Sequence, residues 1–238
     1  MKLGEALQMT QSLYSKGAQS QDSRLRPRHI YNQLLKSRAT LSVQKFNKGQ
    51  KFSQWDYLTI SCLELVPAEK HECPCLPPTG CVVLKSKYPL PKFITGIDKD
   101  IIQSISSIDG SLILDQIDFA TNKYLKGNKY TSKKPHYYIY NDYLFVTVTK
   151  ALKIVQVTAL FEDPIAVWTY PSLCDCADCC LDIYEKEFPL ADNMMDTAAD
   201  MAAQKLLAIF VQMREDKNND ASDNAGTAGA MIHQPTEQ

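Results

Sequence analysis

The stretch that decides the fold is Tyr137-Tyr138-Ile139-Tyr140-Asn141-Asp142-Tyr143-Leu144-Phe145-Val146-Thr147-Val148. Two runs of aromatic and β-branched residues flank the pair Asn141-Asp142, and Asn and Asp tolerate the left-handed backbone that a two-residue hairpin turn requires. The stretch therefore predicts an antiparallel hairpin. The pair Asp109-Gly110 predicts a second one, between Ile108 and the run from Ser111 to Leu114.

Further strand-like runs lie on both sides of these hairpins. Residues from Tyr57 to Val66, from Gly80 to Leu84 and from Ile154 to Phe161 are rich in β-branched and aromatic types. Together with the hairpins they predict an antiparallel β-meander in the centre of the chain.

Helices are predicted on both sides of this β-rich region. Apolar residues fall on one helical face from Leu3 to Tyr14, with Gly17 placed as a cap, and Pro27 suits the first position of a second helix that ends near Gly49. A long C-terminal helix is predicted from about Asp192 to Glu215. The predicted class is α+β: N-terminal helices, a central antiparallel β-meander, a long C-terminal helix and an extended C-terminal tail.

The sequence divides into four segments. Residues 1–54 form a basic helical N-terminal segment, residues 55–170 the β-rich middle, and residues 171–216 a cysteine-rich loop with the C-terminal helix. Residues 217–238 are rich in Gly, Ala, Asn and Asp and show no periodicity, so they cannot bury apolar surface by themselves. We expect this tail to be extended and ordered by a neighbouring subunit.

Charge is distributed unevenly, although the formal net charge is −1. Residues 1–54 carry ten Lys and Arg against two acids, and residues 162–200 carry ten acids against one Lys. Regions of opposite sign suit head-to-tail contact with a copy or another subunit, and they equally suit neutralisation within one chain. The first interpretation predicts contact with an acidic partner surface through Arg24, Arg26, Arg28, Arg38 and Lys45.

The sequence lacks the motifs of common enzymes. No GxGxxG, GxxxxGK[ST], HExxH or GxSxG occurs, and nine glycines in 238 residues leave little material for a phosphate-binding loop. The longest apolar run, Leu206 to Val211, has six residues where a membrane span needs about 20, and the first residues lack the apolar stretch of a signal peptide. We expect no enzymatic activity, no cofactor, no membrane partner and no export by the usual route.

The cysteines form two clusters, one around Cys73 and Cys75 and one around Cys176 and Cys179. Four thiolates from Cys73, Cys75, Cys176 and Cys179 could hold a structural zinc ion if the fold brings the two loops together. Free thiols in a reducing cytosol and disulfides formed later are the alternatives, and no metal ligand is assigned.

A basic loop precedes the hairpin that decides the fold. It carries Lys123, Lys126, Lys129, Lys133 and Lys134, with Tyr124 and Tyr130 among them. Clustered lysines neutralise phosphate and aromatic rings stack on bases, so the loop is a candidate nucleic-acid contact, although a solvated loop is the simpler interpretation. Combined with the cysteine clusters, it predicts an alternative function as a zinc-stapled nucleic-acid-binding module.

Four strings carry a resemblance to a known family. They are Lys2-Leu3-Gly4-Glu5-Ala6-Leu7, Ser23-Arg24-Leu25-Arg26-Pro27-Arg28-His29-Ile30-Tyr31-Asn32, Glu72-Cys73-Pro74-Cys75-Leu76-Pro77-Pro78 and Leu160-Phe161-Glu162-Asp163-Pro164. In these strings the chain resembles the neck or head-to-tail connector ring proteins of crAss-like tailed bacteriophages.

The resemblance implies a structural virion protein without catalytic residues, made and assembled in the host cytoplasm. It implies a homo-oligomeric ring, typically twelvefold, that contacts the portal and other neck and tail ring proteins, joins the portal side to the tail and passes DNA. A belt of about 60 lysine charges facing the lumen of such a ring would retain DNA by counterion release. We therefore expect the basic loop to face outward or toward another protein.

Overall fold

The computed structural model describes residues 1–16, 25–68, 83–118, 134–147, 152–173 and 182–218. In these ranges the helices are α1 (Leu3–Tyr14), α2 (Pro27–Asn47), α3 (Pro164–Trp168) and α4 (Asp192–Asn218). The strands are β1 (Leu58–Pro67), β2 (Val83–Ser86), β3 (Ile102–Ser107), β4 (Asp115–Gln116), β5 (His136–Tyr140), β6 (Tyr143–Thr147) and β7 (Ile154–Ala159). The predicted α+β class is confirmed.

Helices α1, α2 and α4 begin where the sequence predicts, whereas the short helix α3 was not predicted. Pro27 occupies the first position of α2, where its missing N–H costs nothing. After α1 the backbone turns left-handed at Lys16 (φ 49°), and the predicted cap, Gly17, lies outside the described residues. Helix α4 runs on to Asn218, so the first two residues of the predicted tail are helical, and residues 219–238 lie outside the described ranges.

The stretch quoted first forms the predicted hairpin. Strands β5 and β6 pair antiparallel from His136 opposite Thr147 to Tyr140 opposite Tyr143, which leaves two residues for the turn. Those residues, Asn141 (φ 50°) and Asp142 (φ 62°), both adopt the left-handed backbone of a type I′ turn. The turn chemistry therefore sets the register of this half of the sheet.

The strands form one sheet with the order β3-β7-β1-β2-β6-β5-β4. The strand pairs are antiparallel except for β4 with β5, as the sequence predicts for most of the sheet. The order is not the sequential one of a meander, because β7 lies between β3 and β1 and pairs Ala159 with Leu58. Turn residues specify neighbouring strands, whereas this long-range pairing depends on burying the apolar rows of both strands.

Strand β1 changes partner along its length. Its first part, from Leu58 to Glu64, pairs with β7, and its last part, from Leu65 to Pro67, pairs with β2. Between Ile60 and Leu63 the register shifts, and Cys62 there has φ 57°. A β-bulge at Cys62 thus bends the strand that both halves of the sheet share.

The segment 112–117, which contains β4, pairs with β3 on one side and with β5 on the other. On one side the Leu114 amide donates to the Ile105 carbonyl of β3 at 2.9 Å, and on the other the Ile117 amide donates to the Tyr137 carbonyl of β5 at 2.9 Å. The second predicted turn leads into this segment, with Gly110 at φ 68°. The sheet is closed on itself, and its interior is filled by buried apolar side chains that include Leu63, Ile105, Leu144, Val146, Val155 and Val157.

The helices form a layer at one end of the sheet. Helix α2 packs through Val43 and Phe46 against Ile94, Ile101 and Leu160, and a Cβ at Gly96 would lie 2.6 Å from the Phe46 ring. Lys45 near the end of α2 meets Met194 near the start of α4 (Nζ to Sδ, 3.7 Å), so the two long helices run antiparallel. Among the described residues, no helix has the length and apolar character needed to cross a membrane.

Candidate assembly interface

The start of α2 is a basic corner, which we define as residues 26–29. All four residues are exposed, and the first turn of α2 contains no acidic residue. Arginine at a helix N-terminus opposes the macrodipole and so favours an acidic group nearby. Within the described residues neither Arg26 nor Arg28 forms an ion pair, and Arg24 lies outside those residues.

The first half of α4 carries an acidic ridge, which we define as Asp192, Asp196 and Asp200. The three residues are exposed and are spaced four apart, so they share one helical face. Like charges at this spacing destabilise a helix by about 0.2–0.5 kcal/mol per pair, and a cationic partner relieves that cost. Asp192 binds the N-terminal amine of Met1 at 3.2 Å, whereas Asp196 and Asp200 form no ion pair in the described part of the chain.

The basic corner lies far from the end of α2 that meets the start of α4. Arg28 precedes Lys45 by about 17 residues, which corresponds to roughly 26 Å along a helix axis. That separation exceeds the screening length of about 8 Å at physiological ionic strength. Asp192 and the basic corner therefore do not neutralise each other by contact within one chain.

Arg38, which the sequence predicts to contact a partner, lies in the core instead. Arg38 is only 1% exposed. Nε donates to the Pro189 carbonyl at 2.7 Å, Nη1 to the Phe161 carbonyl at 2.6 Å and Nη2 to the Asp56 carbonyl at 3.4 Å. Burial lowers the pKa of Arg38 to about 10. Because its donors are used within the chain, we correct this residue from an interface contact to a structural arginine.

Lys45 is also engaged inside the chain. Its Nζ lies 3.0 Å from Asp56 Oδ2, and the two side chains are 14% and 3% exposed. Asp56 additionally accepts from the Ser53 amide at 2.9 Å and from the Ala191 amide at 2.8 Å. Asp56 was not predicted from the sequence, although the spacing from Ser53 to Asp56 is that of a capping box. The predicted interface set is thus reduced to the arginines at and just before the start of α2.

A second polar contact fixes α3 to α2. Tyr31 donates its hydroxyl to Asp163 Oδ1 at 2.6 Å, and the same oxygen accepts from the Ile165 amide at 2.9 Å as the cap of α3. Burial, followed by the hydrogen bond to Asp163, holds the pKa of Tyr31 well above its ordinary value. The string from Leu160 to Pro164, which carries part of the family resemblance, therefore has a structural role.

An aromatic cleft of about 510 Å³ opens beside the acidic ridge. It lies between the 3-10 turn Gln54–Asp56, helix α3 and the segment that leads into α4. Its apolar walls include Trp55, Trp168 and Phe188, and Asp192 lies on its lining. We call it the Trp55 cleft, because Trp55 is 60% exposed there.

Most of the predicted nucleic-acid and metal residues lie outside the described ranges. Lys134 is described and exposed, whereas Lys123, Lys126, Lys129 and Lys133 are not described, and neither are Cys73, Cys75, Cys176 and Cys179. In the ranges that are described, no group of three or more His, Cys, Asp or Glu could hold a metal ion. Nucleic-acid contact by the basic loop and zinc binding by the cysteine clusters both stay predictions.

Cys62, which belongs to neither cysteine cluster, is disulfide-bonded. The Leu173 amide donates to the Cys62 carbonyl at 3.1 Å, so the bulge of β1 lies beside the residue that precedes the second cluster. Of the three interpretations of the cysteines, this observation favours disulfides for at least Cys62. The sequence carried no spacing signal for it.

Comparison with known proteins gives one family. A family model described as phage tail ring protein 2 matches residues 8–225, a range that includes the basic corner, the acidic ridge and Trp55. No curated protein matches the sequence.

Proposed function

The chain belongs to the crAss-like phage family described as phage tail ring protein 2, and from this premise we propose that its copies associate head to tail into a homo-oligomeric ring in the neck of the virion. The family match confirms the resemblance found in the sequence and makes the protein a structural component of the phage tail. A place in the head-to-tail connector, contact with the portal and with other ring proteins, and passage of DNA through the ring belong to the proposal. Twelvefold symmetry and assembly in the host cytoplasm also belong to the proposal, and they rest on the family resemblance.

The observation that carries the proposal is the pair of unmatched charged surfaces. The basic corner presents Arg26 and Arg28, and the acidic ridge presents Asp196 and Asp200, without ion pairs to other described residues. A contact between two different surfaces of identical copies is heterologous, and such contacts close into a ring when the rotation permits. Complementary charge also steers the encounter of the copies.

Charge reversal in the basic corner tests this proposal. Arg26→Glu with Arg28→Glu is expected to abolish the oligomer in sedimentation velocity at about 0.15 M salt, because each copy would then present acids to an acidic surface. The circular dichroism spectrum and melting temperature of the monomer should not change, since both arginines are exposed. Combining this variant with Asp196→Arg and Asp200→Arg should restore assembly.

The matched control reverses two exposed lysines at the other end of α2, Lys48→Glu with Lys51→Glu. This control makes the same change in net charge, so it should assemble like the original chain. If the variant at Arg26 and Arg28 assembles as well as the control, the basic corner is a solvated surface and the proposed contact is wrong.

A further inference from the structure

Trp55 is anchored through hydrogen bonds of its own turn and yet faces solvent. Its amide donates to Ser53 Oγ at 3.4 Å, and the next residue, Asp56, is 2% exposed and bound to Lys45, Ser53 and Ala191. Trp55 as a whole is nevertheless 60% exposed. A large aromatic side chain held in place but left uncovered is typical of the anchor residues of protein interfaces.

The Trp55 cleft combines apolar walls with charges on its lining. Trp168 and Phe188 contribute to the walls. The charged residues on the lining are Lys186, Glu187 and Asp192, of which Asp192 uses Oδ1 for the amine of Met1 and keeps a side chain that is 83% exposed. Together with the amine of Met1, which also lines the cleft, these charges balance one another, and the next turns of the acidic ridge, Asp196 and Asp200, make the neighbourhood negative.

We propose that the Trp55 cleft receives the basic corner of an adjoining copy, with an arginine of that corner stacked on the Trp55 indole and paired with Asp192. This inference rests on the proposed function and assigns the ring contact to a specific pair of surfaces. Arginine fits the site because its planar guanidinium stacks on aromatic faces and binds carboxylates with two parallel hydrogen bonds.

Accessibility and charge both favour the basic corner as the occupant. Its four consecutive residues are exposed at the start of α2, where they are accessible to another copy, and its arginines are unpaired in the described part of the chain. Nucleic acid is disfavoured because its phosphates would approach Asp196 and Asp200 of the acidic ridge, which form no ion pair in the described part of the chain. The occupant we assign is therefore a second copy of this chain.

A double-mutant cycle tests the pairing. Trp55→Ala, and separately Arg26→Ala with Arg28→Ala, should each weaken association at least about tenfold in mass photometry of the full chain. The combined variant should associate almost as strongly as whichever of the two separate variants associates less strongly, because both changes remove the same contact. Effects that simply add, or an unchanged Trp55→Ala, would overturn the inference. Ile97→Ala is the control, because Ile97 is 76% exposed and does not line the cleft.

Fluorescence gives a second readout that does not depend on a loss of assembly. The chain has two tryptophans, Trp55 and Trp168, and both line the Trp55 cleft, so the original chain carries its own reporter of the site. Its emission should shift to shorter wavelength and its quenching by acrylamide should fall as the copies assemble. If the copies assemble without these changes, the inference is wrong but the proposed ring stands. The inference is also wrong if duplex DNA produces the same shift in the monomer. A chain that stays monomeric at every concentration contradicts the proposed function itself.

Discussion

Arg38 has three carbonyl acceptors that come from distant parts of the sequence. They belong to Asp56, Phe161 and Pro189, and they converge on one guanidinium near the end of β7 and the approach to α4. Counting charges along the sequence places such an arginine on the surface, because nothing local to position 38 indicates these acceptors. The fold uses it to hold α2, the turn after β7 and the segment before α4 in one arrangement.

Replacing Arg38 with Ala should destabilise the monomer strongly. The substitution leaves buried carbonyl groups without donors and opens a cavity, so we expect the free energy of unfolding to fall by about 3–5 kcal/mol in urea denaturation. Arg26→Ala is the matched control, since Arg26 was predicted to belong to the same interface but is exposed. Equal stabilities for the two variants would show that Arg38 does not hold the core together.

The hydrogen bond from Tyr31 to Asp163 predicts a loss of stability at alkaline pH. A tyrosine whose pKa is higher in the folded than in the unfolded chain stabilises the fold fully below the unfolded pKa of about 10, and this contribution falls as the pH rises above that value. Tyr31→Phe should cost about 1–2 kcal/mol of unfolding free energy at pH 8. The difference from the original chain should shrink between about pH 10 and 11.5. Urea titrations across this range measure it, and a constant difference would contradict the prediction.

At the scale of the helices and strands, residues that constrain their own backbone predicted where elements begin and turn. Pro27 marked the start of α2, Asp192 the start of α4, and Asn141-Asp142 the hairpin of β5 and β6, because each acts on its own backbone. The pairing of β1 with β7 and the bulge at Cys62 have no local signal, since they arise when distant apolar rows pack together. The charged residues of the basic corner could be predicted from the sequence because they are exposed. The role of buried Asp56 could not, because its partners Lys45 and Ala191 come from other parts of the chain.

The hairpin turn offers a direct test of this local specification. Asp142 has φ 62°, a conformation that glycine adopts without cost and a β-branched residue adopts poorly. We expect Asp142→Gly to raise the free energy of unfolding by up to about 1 kcal/mol and Asp142→Val to lower it by about 1–2 kcal/mol. Equilibrium urea unfolding of the three proteins checks the order. A valine variant as stable as the glycine variant would show that the turn does not require the left-handed backbone.

For the whole molecule, the separation of charge predicts a salt-dependent assembly. Raising the ionic strength from about 0.1 M to 1 M shortens the screening length from about 10 Å to 3 Å, so the association constant of the original chain should fall several-fold. The uncharged variant Arg26→Gln with Arg28→Gln should associate more weakly and respond less to salt. Sedimentation equilibrium at both salt concentrations measures how far the association constant of each protein falls with salt. An equal fall for both proteins would show that the arginines do not contribute to the contact.

The seam at residues 112–117 bears on how the copies of the proposed ring avoid joining through exposed strand edges. A sheet with open margins is a template on which further chains can add strands and grow into fibrils. In the described residues, Leu114 and Ile117 bind the strands on either side of the seam, so those backbone groups are already occupied. In the proposed ring, copies crowded together during virion morphogenesis would then recognise one another through side chains, whose geometry can limit growth to a finite, closed particle.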